Sequence, residues 1–325
     1  MIKLFFFSFY LLKVFATKED LVVGSDYSLF SPECANGICS SKVLNPIFEI
    51  AFPNHNMVWT NLRKPNLVIR SPFPIKNYTE YTCPYINYSG EPYSLPYKQY
   101  PPLIEINTFI DFHNKKSVYI PHIINSNYNL SDIRKHKNLN RPYLVAYMNS
   151  NCQPHREQMF RSLVDRFGKD KVHALGKCSN NRKIENNGNW ENAYDIYKDY
   201  TFTISMENTN EYGYITEKIM NAFIAGSIPL YFGSKGKIND FFNKDAFINI
   251  NDFSSVTAVT NYIQNLSEAD IANYQFAPVF KNNKVPELLS LNNQMWIYNL
   301  GFLIRAKYEE FIFTNNKTTK YDKIF

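Results

Sequence analysis

Short β-branched or aromatic runs alternate with amphipathic stretches along this chain, which predicts layered α/β structure rather than a sandwich or a helical bundle. The pattern is faint in the first half. Leu21–Gly24 and Leu67–Arg70 predict strands, Leu44–Phe52 an intervening helix, and the Pro- and Tyr-rich stretch Tyr78–Pro102 mostly loop. From Tyr143 the alternation sharpens. Tyr143–Tyr147 predicts a strand, His155–Phe167 a helix ended by Gly168, Val172–Leu175 a strand, Asn192–Lys198 a helix and Phe202–Ser205 a strand. Thr216–Ala225 then predicts a helix ended by Gly226, and Ile228–Phe232 a further strand, while the tail Thr314–Phe325 reads as frayed.

That order implies doubly wound parallel sheets, in which ligands sit beyond the carboxyl ends of strands. The loops to inspect are Met148–Pro154, Gly176–Asn189 and Met206–Ile215. A length of 325 residues with 45% hydrophobic content suits two domains. Asp132–Asn140 carries Arg134, Lys135 and Lys137 among polar residues and is followed by Pro142, so the boundary is placed there. The expected division is residues 17–140 and 141–325.

Residues Met1–Ala16 combine an early Lys3, the apolar run Leu4–Leu12 and the small Ala16, the shape of a signal or signal-anchor segment. Lys13 shortens the run, so a cleaved signal, a weak membrane anchor and a buried first strand all fit. The net charge of +6 comes from cations scattered among acids, which disfavours nucleic-acid binding and leaves a phosphate-bearing small substrate open. Cys34, Cys39, Cys83, Cys152 and Cys178 are odd in number, too sparse for a disulfide scaffold, and lack zinc-site spacing. Sequons at Asn77, Asn87, Asn129, Asn265 and Asn316 do not decide the compartment in so Asn-rich a chain.

The segment Met206–Lys218 is a polar loop that delivers an acid and a base into the first turn of a helix. Free N–H groups at a helix start hold phosphate oxygens, and Lys218 adds a full charge beside them. Glu217 suits sugar hydroxyls. A plain helix start, capped by Thr216 and Glu217 with Lys218 solvated, fits these residues equally well. Val145–Arg156 reads as strand, polar turn and helix start, with a guanidinium at Arg156 able to hold two phosphate oxygens, although an exposed helix arginine is the more ordinary reading. In the first half, Gly90 and Pro92 frame Glu91 in a tight turn. His113, His122, His136 and His155 are rival bases, each more ordinary as a surface or core residue.

The run from Phe202 to Ser234, FTISMENTNEYGYITEKIMNAFIAGSIPLYFGS, resembles the signature of the family 10 fucosyltransferases, with Met206 where that family usually has Phe. SNC ahead of Arg156 and Gly176-Lys177-Cys178 are similar to two further elements of that family. Pro65–Ile69 with Ser71–Phe73, and Ser89-Gly90-Glu91-Pro92, look like its first-domain elements. The resemblance implies a GT-B architecture, two Rossmann-like domains facing across a cleft, the first for acceptor and the second for GDP-fucose. It implies Glu91 as catalytic base, and Arg156, Asn208, Tyr214, Glu217 and Lys218 as donor-binding residues.

The implied reaction is inverting transfer of L-fucose to an N-acetylglucosamine-containing glycan or glycoprotein, in α-1,3 linkage. No cofactor or metal is required, because two cations and a helix terminus neutralise the diphosphate. Such an enzyme is expected in the secretory pathway, in the Golgi, and an oxidising compartment would allow Cys152 to pair with Cys178. A non-catalytic glycan- or nucleotide-sugar-binding protein of the same fold, or a GT-B transferase using another nucleotide sugar, remains the alternative.

Overall fold

The computed structural model describes residues 18–25, 33–35, 38–60, 62–72, 83–92, 101–112, 114, 117–125, 128, 133–134, 138–184, 193–290 and 294–321. Met1–Ala16, His113, His136 and the sequons at Asn77 and Asn129 lie outside these residues. The first unit runs β1 (Glu19–Ser25), β2 (Glu33–Ala35), β3 (Ile38–Ser40), α1 (Leu44–Ala51), β4 (His55–Trp59), β5 (Leu67–Arg70), β6 (Tyr85–Ser89), β7 (Ile104–Asn107) and β8 (Ser117–Tyr119). Strands β2 and β3 form an antiparallel pair, and the rest make a parallel sheet in the order β4-β1-β5-β6-β7-β8.

Alternation along these strands turns Val23, Leu67, Ile69, Ile86, Ile104 and Ile106 into one apolar core. Helix α1 covers it with Leu44, Ile47, Phe48 and Ala51, the i, i+3, i+4, i+7 stripe of an amphipathic helix. Strand β6 lies within Tyr78–Pro102, where mostly loop was expected. Its residues are all buried, so the tyrosines of YINYS pack as strand residues rather than marking a turn. The sequon at Asn87 is therefore 1% exposed and closed to glycosylation in the folded chain.

The second unit comprises β9 (Tyr143–Tyr147), α2 (Pro154–Phe167), β10 (Val172–Ala174), α3 (Tyr194–Tyr197), β11 (Tyr200–Met206), α4 (Glu217–Ile224), β12 (Ile228–Phe232), α5 (Ile238–Phe241), β13 (Ile248–Asn249), α6 (Val256–Gln264) and α7 (Glu268–Phe276). Its strands are parallel in the order β10-β9-β11-β12-β13. The order reverses beside β9, with β10 on one flank and β11 on the other. Loops leaving β9 and β11 diverge there and open the crevice in which such sheets bind ligands. Arg134 does not sit in a solvated linker: it is 5% exposed, and its guanidinium donates to the carbonyls of Tyr274, Ala277 and Ala246 at 2.7, 2.8 and 2.9 Å.

The last helix departs from the expected division at residue 140. Helix α8 (Gln294–Tyr321) returns to the first unit, where Ile297, Leu300 and Ile304 join the core beneath α1. Gly301 permits the close crossing, since a Cβ there would stand 2.7 Å from Ile50 Cγ2 and 2.9 Å from the Ile47 carbonyl. The helix also continues through most of the tail expected to fray. Among the described residues, no helix is long and apolar enough to cross a membrane.

Candidate active site

At the carboxyl end of β11 the chain must turn back into α4, and Glu207 organises that turn. Its backbone N–H donates to the Phe232 carbonyl at 2.8 Å, continuing the pairing with β12. Its buried carboxylate accepts from the Thr216 N–H at 2.8 Å and the Thr216 hydroxyl at 2.7 Å. Gly233, at φ 144°, leaves room for it, because a Cβ would lie 2.6 Å from Glu207 Cγ. Glu207 thereby anchors Thr216, the residue ahead of α4 whose own side chain makes no capping bond.

Lys218 stands on the same turn, 19% exposed, with Nζ 3.2 Å from Glu217 Oε1, 3.6 Å from Glu207 Oε2 and 3.0 Å from Thr216 Oγ1. Burial opposes its charge, but the two carboxylates prevail and hold its pKa above the ordinary lysine value. Burial likewise works against the ionised form of Glu217, yet Lys218 beside it and a backbone N–H keep that carboxyl below its ordinary range. His122 lies across from it, Nδ1 3.9 Å from Glu217 Oε2, and burial holds this imidazole neutral with a pKa down to about 4.

Arg156 projects from the first turn of α2, beside the Cys152–Cys178 disulfide whose Cα atoms are 5.3 Å apart. Its Nε donates to the Met206 carbonyl at 2.8 Å, Nη1 to the Asn151 carbonyl at 3.1 Å and Nη2 to Asn208 Oδ1 at 2.8 Å. Among the described residues these bonds use three of the guanidinium's five N–H groups, one on each nitrogen. With 0% exposure, Arg156 is part of the cleft wall rather than a cation projecting into it, and Lys218 is the accessible charge.

Glu91 comes from the first unit, in the turn after β6, where the Ser89 hydroxyl donates to its carbonyl at 2.7 Å. Its carboxylate accepts the Tyr214 hydroxyl at 3.2 Å. Burial raises its pKa above the ordinary glutamate value despite the Tyr214 bond and Lys218, which pull the other way.

A cleft of about 270 Å³ between the two units is lined by Glu91, Arg156, Asn208, Tyr214, Glu217 and Lys218, so all the residues expected to act together do meet. Its wall also includes His122, one of the histidines the sequence offered as rival bases, and Tyr197, Asn151 and Asn221, which it did not single out. Glu207, inside the segment read for phosphate binding, was missed as the residue that shapes it. Its only sequence signal was a second acid nine residues ahead of the Thr-Glu-Lys turn, with a glycine beyond the next strand.

Residues 138–296 match the glycosyltransferase family 10 (fucosyltransferase) C-terminal domain. The matched stretch contains every one of the expected site residues except Glu91. The chain is 29% identical over 188 residues to an alpha-(1,4)-fucosyltransferase of Arabidopsis thaliana, covering 50% of this chain and 44% of that one. It is 38% identical over 78 residues to the alpha-(1,3)-fucosyltransferase FucT of Helicobacter pylori, covering 24% of this chain and 16% of that one. The matches thus span less than half the length of these curated relatives. In fold, the chain is similar to a crystal structure of an alpha1,3-fucosyltransferase with GDP-fucose, at TM-score 0.58 and 17% identity over 90% of this chain and 91% of that one.

Proposed function

We propose that the chain is an inverting fucosyltransferase of glycosyltransferase family 10, the family whose C-terminal domain residues 138–296 match. It takes L-fucose from GDP-fucose and places it on a hydroxyl of an N-acetylglucosamine-containing glycan in α-1,3 linkage. The observation that carries this reading is the cleft itself. A carboxylate made more basic by burial enters from one unit, and a cation at a helix start faces it from the other.

Glu91 takes the proton of the acceptor hydroxyl as its oxygen attacks the fucose anomeric carbon. The bond from that carbon to the diphosphate oxygen breaks on the opposite side, which inverts the centre. The charge left on GDP is met by Lys218, by the N–H groups of the first turn of α4, and by the field of Arg156 from the wall. Glu217 and Asn208 present acceptors for hydroxyls of the donor. This scheme calls for no metal or other cofactor. The Cys152–Cys178 disulfide favours an oxidising compartment, in line with the secretory pathway and the Golgi, with Met1–Ala16 as signal or signal-anchor.

The test is incubation of the purified protein with GDP-fucose, GDP-mannose and UDP-sugars against N-acetyllactosamine and chitobiose-core acceptors, read by mass and by linkage analysis. Fucose added at O3 of N-acetylglucosamine is expected. GDP-fucose binding with neither transfer nor hydrolysis would instead identify a non-catalytic protein of this fold, and transfer from another donor a different sugar specificity.

A further inference from the structure

Four consecutive residues ahead of α4 each bond to the first unit. The Tyr212 carbonyl accepts the Ile110 N–H at 2.8 Å, and the Gly213 carbonyl accepts the Tyr119 hydroxyl at 2.7 Å. The Tyr214 hydroxyl donates to Glu91, and the Ile215 carbonyl accepts the Ile123 N–H at 3.1 Å. Ile110, Tyr119, Ile123 and Glu91 all follow or end the strands β6, β7 and β8, so the carboxyl edge of the first sheet grips the donor-side loop residue by residue.

Of these four bonds two come from side chains, and they are adjacent. Gly213 has φ +82°, a conformation that favours glycine, and its Cα faces the Tyr119 ring so closely that a Cβ would stand 3.1 Å from Cε2. The Tyr119 hydroxyl fixes the Gly213 carbonyl, which is one half of the peptide plane whose nitrogen belongs to Tyr214. Rotation of that plane would swing the Tyr214 ring, and the ring carries the hydroxyl held by Glu91. Tyr214 is itself buried, so its ring has little freedom apart from that of the backbone that carries it.

We propose that Tyr119 is a positioning residue for transfer: by fixing the Gly213 carbonyl it sets Tyr214, and Tyr214 in turn holds the Glu91 carboxylate toward the acceptor. The proposal rests on Glu91 being the base. Besides Tyr214, the groups facing Glu91 are Lys218 and Asn208, which favour its ionised form, and Glu217, which opposes it.

Tyr119→Phe keeps the ring under Gly213 and removes only the hydroxyl. Transfer rates are measured against pH at saturating GDP-fucose for the wild type, Tyr119→Phe, Tyr214→Phe and the double variant, with GDP affinity by calorimetry. Losing the Tyr214 bond favours the protonated carboxyl, so the acidic limb of the profile moves to higher pH, by up to about one unit in Tyr214→Phe. Tyr119→Phe is expected to move it the same way by less, to lower kcat, and to leave GDP affinity unchanged. In the Tyr214→Phe background it should add no further shift.

An unmoved limb in Tyr119→Phe, or a shift that adds in full to that of Tyr214→Phe, overturns the proposal. The ¹³C titration of the Glu91 carboxyl reads the same link without turnover, and Gly213→Ala, which presses on the Tyr119 ring, perturbs it from the other side. An active Glu91→Gln variant would remove the assignment of the base while leaving that titration to decide the role of Tyr119.

Discussion

Replacing Lys218 by alanine separates the two tasks assigned to it, because its ammonium both holds two carboxylates at the start of α4 and offers the accessible charge of the cleft. Nζ lies 3.2 Å from Glu217 and 3.6 Å from Glu207, and a bound diphosphate would bring further negative charge to the same place. A charge-assisted hydrogen bond contributes about 1.5–3 kcal/mol, so GDP affinity should fall roughly 10- to 150-fold. Stability should fall as well, by about 2 kcal/mol, below the figure for a sealed ion pair because 19% of the lysine is exposed.

The two losses depend differently on pH. Lys218 depresses the Glu217 pKa, so its contribution to stability is complete above the ordinary glutamate range and disappears as pH falls through the lowered value. The melting gap between wild type and Lys218→Ala should therefore be widest near neutral pH and close on acidification. Calorimetric titration with GDP and melting scans across pH measure both. Unchanged GDP affinity in the variant, or a melting gap that grows on acidification, would refute the reasoning.

Glu91→Gln should abolish transfer while GDP affinity stays near that of the wild type, as single-turnover assays and calorimetry would show; measurable transfer would displace Glu91 as base. Arg156→Lys keeps a charge but cannot reproduce bonds to Met206, Asn151 and Asn208 together, so GDP affinity should fall about 10-fold or more, with a lower melting temperature. Cys178→Ser opens a loop with a sequence separation of 26, which should cost roughly 3 kcal/mol in chemical denaturation and loosen the Asn151 carbonyl from Arg156.

The parts of the site that were legible in the sequence are those whose meaning is local. Thr216-Glu217-Lys218 at a helix start carries its own geometry, since the turn fixes where the first N–H groups and the next two side chains point. Tyr143–Tyr147 and Ile228–Phe232 declared themselves as strands by composition alone. The role of Glu207 was hidden because it depends on β11 pairing with β12 and on Gly233 standing opposite, contacts that exist only after the sheet assembles. His122 and Tyr119 are placed by a seam between residues roughly ninety positions apart, as the Tyr119–Gly213 bond shows. Helix α8 was assigned by adjacency to the second unit, whereas Gly301 and the Ile297, Leu300, Ile304 stripe complement α1 at the far end of the chain.

The same assembled contacts bear on how Glu91, as the proposed base, could work so close to a cation. A lone carboxylate beside a lysine is acidified and becomes a poor proton acceptor. In this cleft Lys218 is also paired with Glu217 and Glu207. At Glu91 the pull of Lys218 is opposed by the push of Glu217, and burial then decides the outcome in favour of a more basic carboxyl. On the proposed mechanism, the pairing of acid and base in the Thr-Glu-Lys turn lets one cation meet a leaving diphosphate while Glu217 offsets part of its pull on the carboxylate across the cleft.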